Sequence, residues 1–269
     1  MLASFLETSF HPKAKAASVK HPLVTAMLLF LLLGPSVQAT QYRIVTEDWA
    51  PYNYVKDGQL TGLATHIVRR IMALTGDDFE MMVLPSMRAA HALQTQGKTI
   101  MYAVFRTPGR EPMYKWVGPI VETAIHPYQL ASTQNPTNTL EQLLTAPRIA
   151  TRRAGLIPTM LQSWGFKNLD KSASNSVQLY RMLMAGRASI IIGDTDVGVA
   201  YHSAELGIAP DALRQIPIEI FRAPLYIAFS RDCDDELVAA WGSALDQLRR
   251  SGELQRIWQQ YEAPTKRQD

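Results

Sequence analysis

One phrase occurs in both halves of this chain, and it limits the possible folds more than any other feature. Leu93-Gln-Thr-Gln-Gly97-Lys98 runs into an apolar segment beginning at Thr99-Ile100, and Met182-Leu-Met-Ala-Gly186-Arg187 runs into Ile190-Ile191-Ile192. In each, a helix ends on a glycine able to take a left-handed cap, a basic residue follows, and a strand begins. A repeated helix-to-strand junction of this kind implies two α/β lobes of like construction, although one α/β sheet also contains such junctions.

The flanking pattern agrees. Residues 41–46 read as a short strand, and Trp49-Ala50-Pro51-Tyr52-Asn53-Tyr54 reads as an aromatic loop punctuated by proline. Leu63, Ile67, Ile71 and Leu74 recur at helical spacing, with His66, Arg69 and Arg70 off that stripe and Gly76 as a stop. A strand over 81–84 and a helix over 87–96 come next. Strand, helix, strand, helix, strand is the order of a mainly parallel sheet. Beyond it the pattern predicts helices over 138–144, 158–164, 177–185, 197–205 and 236–250, and strands over 148–151, 189–193, 216–221 and 225–230. A last helix is expected around Leu254, Ile257, Trp258 and Tyr261.

The first 39 residues read as an export signal rather than as part of the fold. Lys13, Lys15 and Lys20 precede an apolar run from Leu23 to Leu33, and Val37-Gln38-Ala39 fits a cleavage site. That run falls short of the about 20 residues a membrane-spanning helix needs. Cleavage after Ala39 removes three lysines and Glu7, so the formal charge drops from +3 to +1. A near-neutral chain carries no electrostatic footprint for nucleic acid. Cys233 is the lone cysteine, so no internal disulfide forms. Export with a single cysteine points to a bacterial periplasm.

The segment after the first repeat carries the chemistry. An apolar strand ending at Phe105 feeds a loop holding Arg106 and Arg110. In open α/β sheets ligands bind at the carboxyl ends of the strands, and arginine's planar fork suits a carboxylate. This run, Gly97-Lys98, strand, Arg106-Thr-Pro-Gly-Arg110-Glu111, Pro119-Ile120, resembles the corresponding run of family 3 extracytoplasmic solute-binding proteins of the amino-acid-binding type. The likeness keeps its order from Tyr42 to Tyr261.

That resemblance implies an α/β fold of the two-lobed periplasmic binding type, each lobe a mainly parallel sheet flanked by helices, with two crossing strands as hinge. It divides the chain into a signal peptide (1–39), a first segment of lobe 1 (40–127), lobe 2 (128–223) and a second segment of lobe 1 (224–269). Crossings are expected near residues 126–131 and 222–224. It implies a monomer that closes on a small amino acid or related carboxylate and presents itself to an ABC-type permease or a sensor receptor. No cofactor, metal or nucleic acid is expected.

By the same resemblance Arg110 aligns with the residue that holds a ligand carboxylate, Arg106 is the substitute anchor, and Asp194 takes a ligand ammonium. Trp49 and Tyr52 form an aromatic wall, and Met87 and Phe105 occupy further wall positions. For Arg110 the alternative is a surface pair with Glu111 or Asp57; for Asp194 it is the cap of the following helix. Phe105 stands where a serine or threonine usually donates to the carboxylate, and Ile100 and Ser189 replace aspartates. Arg153-Ala154-Gly155 falls where a lobe 2 turn often meets the carboxylate. These departures open the way to a ligand other than a standard amino acid.

No catalytic residue is assigned. His66, His91, His126 and His202 lack paired metal-ligand spacing, and neither G-x-S-x-G nor a P-loop occurs. Glu47 and Asp48 read as solvated loop charges at the cleft mouth. A dehydratase of the cyclohexadienyl (prephenate or arogenate) type, on the same fold, is the alternative in which such a carboxylate would serve as a general acid.

Overall fold

The computed structural model describes residues 42–261; the expected export signal lies outside the described residues. Two five-stranded sheets dominate. The first is built from β1 (Arg43–Thr46), β4 (Glu80–Val83), β5 (Thr99–Phe105), β6 (Lys115–Val121) and β14 (Leu225–Phe229) in the order β4-β1-β5-β14-β6, while β2 (Tyr54–Lys56) and β3 (Gln59–Thr61) pair as a separate hairpin. β1 runs parallel to β4 and β5, whereas β14 is antiparallel to β5 and β6. The second has the order β10-β9-β11-β8-β12, from β10 (Leu169–Ala173), β9 (Ile149–Arg152), β11 (Ile190–Ile191), β8 (Tyr128–Leu130) and β12 (Leu213–Gln215). β9 is parallel to β10 and β11, and β8 is antiparallel to β11 and β12. Each lobe is therefore parallel around its central strands and closed by antiparallel ones.

A short antiparallel ladder of β7 (Ala124–Ile125) and β13 (Phe221–Arg222) lies where the chain passes between the sheets. Backbone bonds from Ile220 to Ile125 and from Ala223 to Thr123 extend it, and the Thr123 hydroxyl donates to the Ala223 carbonyl at 2.7 Å. The strand expected over 216–221 is not one strand. Only Phe221 of it is in a strand, β13; β12 ends at Gln215, and residues 216–220 carry the chain from one sheet toward the ladder.

Helices cover both faces of each sheet. In the first lobe α1 (Leu63–Thr75) and α7 (Asp235–Arg250) pack together on one face with α8 (Glu253–Tyr261), and α2 (Ser86–Thr95) covers the other. β5 is buried along its whole length, as a strand covered on both faces must be. Leu63, Ile67, Val68 and Ile71 of α1 are fully buried, each contributing about 1.5–3 kcal/mol. Leu74, expected on that stripe, is exposed instead. In the second lobe α4 (Leu156–Ser163) and α5 (Ser176–Met184) pack on β9, with α3 (Leu140–Thr145) and α6 (Asp196–Glu205) completing the layer. α3 starts with a capping box between Thr139 and Gln142.

The two glycines of the repeated phrase differ in role. Gly186 takes the left-handed conformation at φ 66°, but in the first lobe Lys98 takes it, at φ 52°. Gly97 is needed for room: a Cβ there would lie 2.5 Å from Asp232 Oδ2, whose carboxylate accepts the Lys98 backbone N–H.

Candidate functional site

The loop before α1 is fixed by that helix's own unpaired donors. Leu63 and Ala64 donate their N–H groups to the carbonyls of Pro51 and Tyr52 at 2.9 and 2.8 Å, which satisfies the helix start without a side-chain cap. Gly62 permits this approach, since a Cβ there would sit 2.4 Å from the Tyr52 carbonyl oxygen. The docked loop then places Trp49 beside Tyr52, ring centres 4.8 Å apart, and beside Phe105 at 5.7 Å. Asn53 donates from Nδ2 to the Glu47 carbonyl and holds that residue at the loop's edge.

A cavity of about 300 Å³ opens between these residues and the second lobe. From the first lobe it is lined by Glu47, Trp49, Ser86, Met87, Phe105 and Arg110, among others; from the second by Arg152, Gly155, Leu156 and Gly193. Its walls stand at the carboxyl ends of β5, β9 and β11, where α/β sheets place ligands. Arg110 is oriented by a turn in which its N–H donates to Thr107 O, and its Nη1 donates to the Phe105 carbonyl at 3.2 Å. Among the described residues it has no acidic partner. Glu111, one alternative partner for it, is taken by Arg106 in a two-pronged ion pair.

Arg106 itself lies outside the cavity lining. Its guanidinium sits 5.8 Å and 5.1 Å from the ring centres of Trp116 and Tyr226, and the pair with Glu111 holds that carboxyl below its ordinary range. Of the residues singled out from sequence, Trp49, Met87, Phe105 and Arg110 line the cavity together. Tyr52 is wholly buried behind Trp49, and its hydroxyl lies 2.7 Å from Thr195 Oγ1.

Asp194 is 3% exposed and does not line the cavity, although its neighbour Gly193 does. Its Oδ1 accepts from the Trp49 indole at 3.4 Å and from the Thr195 N–H at 3.0 Å; its Oδ2 accepts from the Tyr180 hydroxyl at 3.0 Å. His202 Nε2 stands 3.6 Å from Oδ2. Burial raises the Asp194 carboxyl above its ordinary range, and burial lowers the His202 imidazole. The cap of α6 is Thr195, whose hydroxyl accepts from Gly198 N, rather than Asp194.

Sequence reasoning passed over Arg152 and undervalued Glu47. Arg152 ends β9, so its place at a strand's carboxyl end was a usable signal. Its Nη2 lies 3.3 Å from Glu47 Oε2 and from Ser86 Oγ, and the Ser86 hydroxyl also donates to that Glu47 oxygen. Glu47 is thus a half-buried partner in a bridge between lobes, not a solvated charge. After Arg152 the chain turns through Gly155, at φ 122°, into α4. The helix N-terminus at the cavity edge brings partial positive charge and unbonded N–H groups to the same side.

A two-lobed α/β molecule with an arginine-bearing cavity at its strand ends is a ligand-binding protein of the periplasmic binding class. The chain belongs to the bacterial extracellular solute-binding proteins, family 3, whose pattern it matches over residues 42–264. Among curated protein sequences none matches. A histidine kinase sensor domain with similarity to periplasmic binding proteins superposes with TM-score 0.71 at 19% identity, over 82% of this chain and 95% of the other. The arginine-, lysine-, histidine-binding protein ArtJ from Geobacillus stearothermophilus gives 0.68 at 20% identity, over 82% and 95%. An ancestral amino acid-binding protein, a precursor of cyclohexadienyl dehydratase, gives 0.68 at 18%, also over 82% and 95%. The shared element is the fold. No helix among the described residues is long and apolar enough to cross a membrane.

Proposed function

We propose that this protein is a periplasmic receptor that closes on a small carboxylate and delivers it, or signals its presence, to a membrane partner. One observation carries the reading: among the described residues the Arg110 guanidinium lies on a cavity wall with no acid paired to it, while the neighbouring acid is bound to Arg106. A guanidinium held this way is a ready partner for a carboxylate, and α4 and Arg152 support the anion from the other lobe. The β7 and β13 ladder serves as the hinge. Trp49 and Phe105, both buried, exclude water from the bound anion, and Met87 stands at the exposed edge of the cavity.

The partner is an ABC-type permease or a receptor with a sensor role, and both would read the outer faces of the lobes. Capture from membranes with the ligand-saturated protein separates them. Turnover has less support: Glu47, the carboxylate on the cavity wall, is ion-paired with Arg152, and a general acid must hold a proton. Formation of aromatic product from prephenate or arogenate would reverse that order.

The test is a thermal-shift and calorimetric screen of carboxylates. A ligand at 100-fold its dissociation constant stabilises the protein by about 2.7 kcal/mol. Arg110→Ala is expected to lose that stabilisation, since removing one member of a buried ion pair costs about 3–5 kcal/mol. Arg106→Ala is expected to keep it. Equal binding by wild type and Arg110→Ala removes Arg110 from the site.

A further inference from the structure

We propose that the cavity takes a monocarboxylate with an apolar body and no α-ammonium, in preference to an α-amino acid. This rests on the carboxylate reading above and narrows it to a chemical class.

Charge on the wall is the first constraint. The cavity wall holds two guanidinium groups, Arg110 and Arg152, and one carboxylate, Glu47. Arg152 and the Ser86 hydroxyl both engage Glu47 Oε2, so that acid is already matched. One positive charge, on Arg110, is left over. A single anionic group neutralises the wall; a zwitterion neutralises nothing.

Among the described residues an ammonium would find no carboxylate on the wall that is not already neutralised: Glu47 Oε1 has no partner of its own, but its carboxylate is ion-paired with Arg152. Of the other acids nearby, Asp48 lies outside the cavity lining, and Asp194 has both oxygens occupied: Oδ1 by the Trp49 indole and the Thr195 N–H, Oδ2 by the Tyr180 hydroxyl, with His202 3.6 Å away. The indole of Trp49 itself stands on the cavity wall, so Asp194 is screened from the guest by the residue it binds. Reaching Asp194 would require breaking the Trp49 contact. A buried ammonium without a partner is strongly disfavoured.

Gln94 and Tyr114 add two neutral polar side chains, and most of the remaining wall is apolar. Met87, Leu93, Met101, Val104, Met113 and Ile157 contribute to it, Met87 from an exposed position. Three of these are methionines, whose unbranched thioethers adapt to guests of differing outline. Phe105 closes the end of β5 with a ring where a hydroxyl would have offered a further polar contact. At about 300 Å³ the space is at the small end of ligand pockets. A short branched or aryl acid fits that volume and lining.

Matched probes test this on the unaltered protein. The intact chain, stripped of ligand, is titrated calorimetrically with 4-methylpentanoate, leucine and 4-methylpentanamide, and then with 3-phenylpropanoate and phenylalanine. Within at least one pair the carboxylate is expected to bind ten or more times tighter than the amino acid, and 4-methylpentanoate ten or more times tighter than its amide. If the amino acid binds as tightly as its deaminated counterpart, or tighter, the inference is overturned and the carboxylate reading survives. Binding of dicarboxylates or charged amino acids alone overturns it in the same way. Failure of every carboxylate in the wider screen overturns both.

Discussion

At the scale of single residues, the two arginines after β5 differ in what the fold leaves them to do. Both were visible in sequence, and so was their place at a strand end. Which one stays free was not visible, because it depends on Glu111 turning toward Arg106, where the rings of Trp116 and Tyr226 bracket the guanidinium. Asp194 was visible too, but its saturation by Trp49, Tyr180 and Thr195 comes from three separate segments. Gly198 shows how far that packing extends. It lies inside α6, where replacing glycine by alanine ordinarily stabilises by about 1 kcal/mol. A Cβ there would lie 2.2 Å from Asp194 Oδ1 and 2.6 Å from its Cγ. The carboxylate cannot yield without releasing its buried donors, and overpacking of this kind costs about 1–3 kcal/mol. Gly198→Ala is therefore expected to destabilise by up to about 2 kcal/mol net. Urea denaturation reads the sign directly, and a raised midpoint would mean that Asp194 moves freely.

At the scale of elements, the long helices were legible, as were β9 and β11 of the second lobe, but its strands β8, β10 and β12 were not. α1 and α7 declare themselves by apolar residues at helical spacing, and their observed spans differ from the expected ones by a residue or so. β10 has the sequence LDKSA, which neither alternates nor stays apolar long enough to identify from sequence, whereas β11 was read from its isoleucines but is only two residues long. Their place is set by the neighbouring β9 and by α5 packed across them. α6 carries a different consequence. Its His202 is buried, with Asp194, Asp48, Glu205 and Arg152 facing it, and desolvation holds the imidazole below its ordinary value. The unfolded chain then binds a proton at His202 more readily than the folded one, so stability falls as pH drops below about 6.5, until the lowered folded value is passed. One proton limits the slope to about 1.4 kcal/mol per pH unit. Asp194 acts in the opposite sense: its raised carboxyl favours the folded state as pH falls through that raised value toward about 3.9. His202→Gln removes the first effect and keeps the second. The loss of stability between pH 6.5 and 5 is expected to shrink or reverse in that variant, whatever its absolute stability. A pH series of denaturation midpoints with parallel slopes for both proteins would refute this account.

At the scale of the whole molecule, two lobes were legible from a repeated phrase, but their mode of contact was not. The rings of Tyr54 and Tyr201 meet across the lobes 5.4 Å apart, and among the described residues three hydrogen-bonded links join the lobes outside the hinge: Trp49 to Asp194, Tyr52 to Thr195, and Glu47 with Ser86 to Arg152. None follows a sequence period, since each pairs a loop of one lobe with a strand end or helix start of the other. Tyr52 is the cleanest probe of what these links do, because it lies outside the cavity lining. Tyr52→Phe deletes one hydroxyl and keeps the ring packed against Trp49, while Thr195 still accepts from Gly198 N. A neutral hydrogen bond is worth about 1 kcal/mol. If that energy holds the lobes together, its loss lowers the ratio of closed to open molecules about fivefold. Apparent affinity for the best carboxylate then falls by up to the same factor, because binding must first restore the closed state. Small-angle scattering should show a larger radius of gyration for the ligand-free variant, returning to the wild-type value at saturation. A variant that loses thermal stability while its ligand-free radius and its affinity stay unchanged would make the Tyr52 hydroxyl a support of the fold rather than a latch between lobes.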